Sequence, residues 1–433
     1  MAKWLRTLVL LSISTLSTAA MFAQSGSRPT ENWVVTWATP EEMAVTIPDR
    51  PVVPPGTKMP DFSAMRGSGP RPPRATAAIA SDQTVRMIVH ASIPGKKLRV
   101  ELSNGFGKTP VSIGSAHIAV RTTESSIDAS TDRQLTFSGS NSVDIQPGAI
   151  VISDPVELDV KPMSDLAVSL YVAKSDGTPT NHMPALHTTY ISNGDTSASA
   201  SMPDPTTSTA YMWLRSIDVT ASAGDFAIAC LGDSITDGYA TTVNANQAWP
   251  TLLAKRFSEK ARGPHVAVIN EGISGNEVLR DGAGVSALAR FDRDVLSQPG
   301  LRWVVLLEAI NDINIHGQIE GPQAVTAEDL INGYKQLIAR AHLHNLKIMG
   351  ATLTPDEGVW LAGPVGEATR QKINQWIKTS GQFDAVVDFD AAVLDKEHPT
   401  KLRAEFDSRD HIHPNDAGNA AMANAFDLAV FMK

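Results

Sequence analysis

Phe226-Ala227-Ile228-Ala229-Cys230-Leu231-Gly232-Asp233-Ser234-Ile235-Thr236-Asp237-Gly238 decides the fold. The apolar run 226–231 is too short for a helix and reads as a strand buried on both faces, as in a parallel sheet. It breaks at Gly232, and the small polar residues that follow mark a tight turn into a helix. The same rhythm continues downstream. Further buried strands are predicted at 265–269, 303–307, 346–352 and 385–389, with helices at 248–261, 327–344 and 368–379. Thr326 with Asp329 resembles a capping box, Asp standing in for Glu. Asn415 is placed to cap a last helix running to the C-terminus. Residues 222–433 are therefore expected to form a three-layer α/β/α domain on a parallel sheet, with its chemistry at the carboxyl ends of the strands.

Upstream the period changes to two. Leu98, Val100 and Leu102 alternate with Arg99 and Glu101, and Leu166, Val168, Leu170 and Val172 repeat the pattern, as do Val85, Met87 and Val89. Turn signals such as Pro94-Gly95 and Asn104-Gly105 separate these runs. Residues 24–221 are expected to form an antiparallel β-sandwich domain. The proline-rich stretch 48–73 reads as a surface loop, and the Ser/Thr/Ala-rich stretch 193–210 as a flexible loop near the domain boundary. Lys3 and Arg6, a short apolar run from Leu8 and small residues up to Ala23 have the three-part pattern of a signal peptide over 1–23. The apolar run is too short to span a bilayer. The mature protein is expected to be secreted or periplasmic, with no membrane attachment after the signal is removed.

At 433 residues and 42% hydrophobic, the chain can bury a large core and is not a disordered protein. Lys and Arg number 37 against 46 Asp and Glu, a net charge of −9, which disfavours nucleic acid as a partner. A single cysteine excludes an intrachain disulfide and a four-cysteine zinc site. Gly105-Phe106-Gly107-Lys108-Thr109 lacks the first glycine of a phosphate loop, position 102 being Leu. Gly282-Ala283-Gly284 lies too far from the preceding strand to be a dinucleotide turn. No Gly-x-Ser-x-Gly elbow occurs, because Thr236 stands two residues after Ser234.

What remains is a set of strand exits. Ser234 follows the first strand and would project into the crevice as a nucleophile, although Ser and Asp here would also cap an ordinary helix. The second strand exits through Asn270-Glu271-Gly272-Ile273-Ser274-Gly275-Asn276, whose glycines can turn backbone N–H groups toward an oxyanion. The third exits through Glu308-Ala309-Ile310-Asn311-Asp312, where an asparagine amide can donate into the same crevice or form an Asx turn. Near the C-terminus, Asp410-His411-Ile412-His413 supplies a carboxylate and two candidate imidazoles. A carboxylate on Nδ1–H leaves Nε2 free to take a serine proton. Asp410, His411 and His413 are also possible metal ligands, but no fourth ligand is apparent and no metal site is expected. Trp249 and Trp360 follow the first and fourth strand exits. They could stack on a sugar or line an acyl pocket, or simply pack in the core.

With Gly232-Asp233-Ser234-Ile235, the glycine of Ser274-Gly275, Asn311-Asp312 and Asp410-x-x-His413, the stretch 225–433 resembles the SGNH (GDSL) hydrolase superfamily. The resemblance implies Ser234 as nucleophile, His413 rather than His411 as base, and Asp410 as its orienting acid. It implies an oxyanion hole from the Ser234 and Gly275 N–H groups and the Asn311 amide, and no cofactor. One departure is Ala309, where the third block usually has glycine. The two-domain layout is similar to a secreted subgroup with an N-terminal β-domain, commonly labelled carbohydrate esterases. The implied activity is hydrolysis of small-molecule or polysaccharide carboxylic esters, acetylated carbohydrates foremost, through an acyl-enzyme. The alternatives are a lipase or short-chain esterase acting on other substrates, a transferase using the same acyl-enzyme, and a non-catalytic carbohydrate-binding protein.

Overall fold

The structure, a computed structural model, describes residues 31–42, 79, 81–317 and 324–433. The predicted leader at 1–23 and the proline-rich stretch at 48–73 lie outside the described residues. Two large antiparallel sheets and a short two-stranded ribbon make up the described β-rich part. One has the strand order Trp33–Ala38, Leu214–Thr220, Gly95–Ser103 and Ile150–Ile152, with Val156–Val160 also on Gly95–Ser103. The other runs Thr206–Ser208, Thr189–Asn193, Gln83–Ala91, Ser164–Lys174, Val111–Val120 and Arg133–Gln134, with Val143–Ile145 also on Val111–Val120. The alternation read from sequence is the packing alternation. Val85, Met87, Val89, Leu98, Val100, Leu102, Leu166, Val168, Leu170 and Val172 all lie buried in one core.

The stretch 193–210 differs from expectation. It folds over the outer face of the larger sheet, where Ile88, Ala119, Ala167, Tyr190 and Met202 form a second apolar cluster. Arg86, fully buried under it, donates to the carbonyls of Ser125 (2.6 Å), Ser197 (3.1 Å) and Ser199 (2.8 Å) and to Ser169 Oγ (2.7 Å). A guanidinium with four satisfied directions orders a segment whose composition alone reads as loose.

In the α/β part the strands are β1 (Phe226–Gly232), β2 (Val266–Gly272), β3 (Leu301–Leu307), β4 (Lys347–Ala351) and β5 (Ala385–Val387). They form one sheet in the order β2-β1-β3-β4-β5, parallel throughout. Its helices include α1 (Ser234–Asp237), α2 (Trp249–Ser258), α3 (Ala287–Phe291), α4 (Ile310–His316), α5 (Ala327–Leu343), α6 (Pro364–Thr379), α7 (Phe389–Val393) and α8 (Asp416–Asn424). The Thr326–Asp329 capping box is formed in both directions, and Asn415 caps α8. Unlike the expectation, α8 stops at Asn424. Phe426 then stacks 5.6 Å from Trp249 and Phe431 meets Trp303 edge-on at 5.2 Å, which takes the chain out of helical course. No helix among the described residues is long and apolar enough to cross a membrane.

Gly232 pairs with Gly272 on one side and Leu307 on the other, so the three adjoining strands β2, β1 and β3 end level. Their exits share one crevice at the point where strand order reverses. The two parts pack as one compact unit over 32–433.

Ala309, at the exit of β3, is fully buried with φ +117° and ψ −10°. The strand end keeps the conformation a glycine would adopt, and the methyl group is strained there. Ala309→Gly is expected to stabilise the protein by about 1 kcal/mol, strain relief outweighing the entropy glycine adds to the unfolded chain. The urea midpoint should rise at unchanged slope; a midpoint at or below wild type would refute the account.

Candidate active site

Gly232 ends β1 because nothing larger fits: a Cβ there would lie 2.2 Å from Thr236 Oγ1 and 2.4 Å from the Leu307 carbonyl oxygen. The chain turns at once into α1. Asp233 caps it, Oδ1 accepting from the Ile235 N–H at 2.8 Å. Ser234 is the first helical residue and is nearly buried.

The C-terminal loop reaches the same point from the other side. Ser234 Oγ lies 2.7 Å from His413 Nε2, and His413 Nδ1 lies 2.7 Å from Asp410 Oδ2. The other Asp410 oxygen accepts from the N–H groups of His413 (2.9 Å) and Ile412 (3.1 Å). Burial works to raise the Asp410 carboxyl, but the His413 ring and these N–H groups outweigh it and hold the carboxyl well below its usual range. Such a chain of hydroxyl, imidazole and carboxylate can move a proton from oxygen to ring nitrogen at neutral pH. The Tyr239 ring packs on His413 with centroids 4.5 Å apart. His411 belongs to a separate pair, its Nδ1 2.7 Å from Asp407 Oδ2. Among the described residues no three acidic, histidine or cysteine side chains are grouped to hold a metal ion.

The second exit turns through residues 273–276, with Ile273 N–H bonded to the Gly232 carbonyl at 2.9 Å and Asn276 N–H to the Ile273 carbonyl at 3.0 Å. Gly275 sits in this turn at φ +82°, a left-handed conformation that suits glycine. Asn311 and Asp312 clamp the segment that follows. Asn311 Nδ2 donates to the Asn276 carbonyl at 2.9 Å, and Asp312 accepts from the N–H groups of Val278 (2.8 Å) and Leu279 (3.2 Å). Asn311 has a second amide hydrogen to offer the crevice.

Trp249 requires correction as a substrate contact. It is completely buried, edge-on to Phe389 at 5.3 Å and stacked on Phe426, so its ring is core. Trp360 is half-buried in the turn after β4, two residues beyond Gly358, which backs on the His411 ring.

Three contributors carried no local signal. Arg290, fully buried on α3, donates to the Gly232 carbonyl (2.9 Å), the Glu271 carbonyl (2.8 Å) and Asn276 Oδ1 (2.9 Å). Asp237 Oδ2 accepts from Ser274 Oγ at 2.8 Å. Glu277 Oε2 lies 3.2 Å from His316 Nε2. Burial, with Asp312 adding, pushes Glu277 up to about 7; burial also pulls His316 down. Burial thus disfavours the charged form of both partners.

Arg290→Met should cost about 3 kcal/mol or more in chemical denaturation, because strand-end carbonyls and buried carboxylates lose their partner; a cost under about 1 kcal/mol would refute that role. Glu277 contributes a slope with pH. From about 4.5 to about 7 the folded state keeps a proton that the unfolded chain has released. Its contribution is full below pH 4.5 and is lost as pH rises through about 7. Glu277→Gln stays neutral and should flatten stability against pH in that window; an unchanged slope would refute the assignment.

Residues 230–421 match the model of the GDSL-like lipase/acylhydrolase family. No curated protein matches the chain. Among solved structures, the native aryl esterase of M. smegmatis is 17% identical, with 46% of this chain and 95% of that one covered at a TM-score of 0.38. A catalytic mutant of an acetylxylan esterase from Geobacillus stearothermophilus is 22% identical, with coverages of 48% and 94% and a TM-score of 0.37. A GDSL-like lipase from Bacteroides thetaiotaomicron is 18% identical, with coverages of 47% and 87% and a TM-score of 0.36. With its parallel sheet and its Gly-Asp-Ser exit, the C-terminal part of this chain is similar, over residues 230–421, to the GDSL-like lipase/acylhydrolase family.

Proposed function

We propose that this protein is an exported serine esterase that cleaves carboxylic esters, acetylated carbohydrates foremost, through an acyl-enzyme. The observation that carries the proposal is the unbroken hydrogen-bond path from Ser234 Oγ through His413 to Asp410. Ser234 Oγ attacks the ester carbonyl carbon while His413 Nε2 takes its proton. Asp410 fixes the tautomer and stabilises the imidazolium. The Ser234 and Gly275 N–H groups and the second Asn311 amide hydrogen serve the tetrahedral oxyanion. His413 then protonates the departing alcohol. Water, activated by the same ring, releases the acid and restores Ser234.

Two features favour a hydrophilic ester over a lipid interface. The net charge is −9. The exposed large apolar residues among those described are Ile150 and Ile152 on one strand, and Ile315, Leu343, Val365, Val386 and Met432 on separate elements of the α/β part. A lipid surface would call for a contiguous patch. Half-buried Trp360 is the ring proposed to face a sugar. Export rests on the leader pattern at 1–23.

Ser234→Ala should reduce hydrolysis of p-nitrophenyl acetate to background while leaving thermal unfolding unchanged. Asn311→Ala should lower kcat about 10²–10³-fold. Full activity in Ser234→Ala would overturn the mechanism. Acetylated xylan tested beside p-nitrophenyl esters of increasing chain length checks the substrate class; preference for the long chains would overturn it.

A further inference from the structure

We propose that the β-rich domain positions the oxyanion turn through one buried side chain, His182, acting by way of Asp237 and Ser274. The proposal rests on the esterase reading above and adds to it a positioning residue from the other half of the chain. His182 lies on a two-residue ribbon, Asn181–His182 paired with Tyr211–Met212, that belongs to neither large sheet. Its side chain is 5% exposed and enters the α/β half, Nε2 resting 3.1 Å from Asp237 Oδ1.

Asp237 closes α1, three residues after Ser234. Its second oxygen accepts from Ser274 Oγ, and Ser274 immediately precedes Gly275. The path therefore joins the piece of chain that carries the Ser234 N–H to the piece that carries the Gly275 N–H. These two donors must keep a fixed separation for both to reach one oxygen. Asn270 adds a tie between the same pieces, Nδ2 donating to the Thr236 carbonyl at 2.9 Å while Oδ1 accepts from Gly272 N–H at 3.0 Å. His182 supplies the tie that crosses the domain seam.

The carboxylate needs that partner. Asp237 is 4% exposed on its side chain, and a buried carboxylate that loses one of its two partners is costly enough to rearrange its surroundings. The other groups around His182 hold the ring in place. Glu42 Oε1 lies 3.5 Å from Nδ1, and the Tyr211 ring stacks at 6.5 Å. Burial opposes a charge on the ring, and Asp237 and Glu42 outweigh it. A cavity of about 80 Å³ beside these groups, lined by Trp37, Tyr211, His182 and Asp237, leaves room for water to replace a lost ring. Removing His182 would let water hydrate Asp237 and free Ser274 to turn away.

The test is a double-mutant cycle on the full chain with p-nitrophenyl acetate, with thermal unfolding of each variant and Ser234→Ala as control. Ser274→Ala and His182→Ala are each expected to lower kcat about 10- to 100-fold with KM little changed. His182→Gln, whose amide can reach Asp237 from the Nε2 position, should restore most of kcat. The His182→Ala/Ser274→Ala double variant should be no slower than the slower single variant, because both act on one path. Effects that multiply would overturn the proposal, as would normal kcat in Ser274→Ala. If His182→Ala does not fold, Ser274→Ala and His182→Gln decide alone. Full activity in Ser234→Ala would instead overturn the esterase reading.

Discussion

Parallel strands that end level bring their last carbonyl groups to one edge, and one buried guanidinium on α3 gathers them at the crevice. Arg290 takes the last carbonyl of β1 and that of Glu271 on β2, and turns its remaining edge to Asn276. Buried backbone acceptors are almost always satisfied, and at these exits Arg290 shares that task with the Ile273 N–H on the Gly232 carbonyl. Gly232 can then turn directly into α1. The turn at 273–276 can rest on the Gly232 carbonyl, and Asn311 can reach the Asn276 carbonyl from the third exit. The candidate hydroxyl and the candidate oxyanion donors all stand on carbonyls and amides that Arg290 fixes directly or at one remove.

Its charge is itself balanced, and the balancing chain leads across the seam between the two parts. Asp294 Oδ2 lies 3.2 Å from Arg290, and Asp294 also accepts from Arg293. Arg293 offers its carbonyl to Arg215 of the β-rich part at 2.5 Å, while Arg215 pairs with Glu101 and faces Glu41. Ser297 Oγ and the Val35–Pro299 backbone bond join the same seam. A buried ion network adds little net stability, but each member is expensive to strand, so it fixes geometry. With His182 on Asp237, the β-rich part reaches the machinery at two separated places.

Much of this was legible because local chemistry carried it. The run 226–231 and its break at Gly232 gave strand, turn and helix without any distant contact. Asp410 and His413 are three residues apart and interact locally. Ala309 stood out only through the family resemblance, as alanine where the third block usually has glycine; its positive φ came with the structure. Arg290 was invisible because a charged residue in a short helix reads as solvated, and its partners are 58, 19 and 14 residues away. His182 sits 55 residues from Asp237 in a stretch with no period. The order of 193–210 depends on Arg86, more than a hundred residues upstream. Trp249 misled for the opposite reason: a ring just after a strand exit looks available until Phe389 and Phe426 are brought against it by other parts of the chain.

The loop that presents His413 illustrates how a second pair of the same residue types can have a different task. Arg409 and His411 both lie at positive φ, +78° and +69°, at a cost of about 1 kcal/mol or more each for side chains of this size. Asp407 offsets this locally, one carboxylate oxygen accepting from the N–H groups of Arg409 (2.8 Å) and His411 (3.0 Å), the other meeting the His411 ring. Ser408 N–H bonds the His413 carbonyl at 3.1 Å and Asn415 N–H the Phe406 carbonyl at 2.8 Å, closing the loop on itself. Asn415 then caps α8, which ties the loop to a regular element. The sequence offered two histidines, His411 and His413, beside Asp410 for one role. In the fold, Asp407–His411 holds the strained turn, and that turn delivers Asp410–His413 to Ser234 with its hydrogen bonds already made.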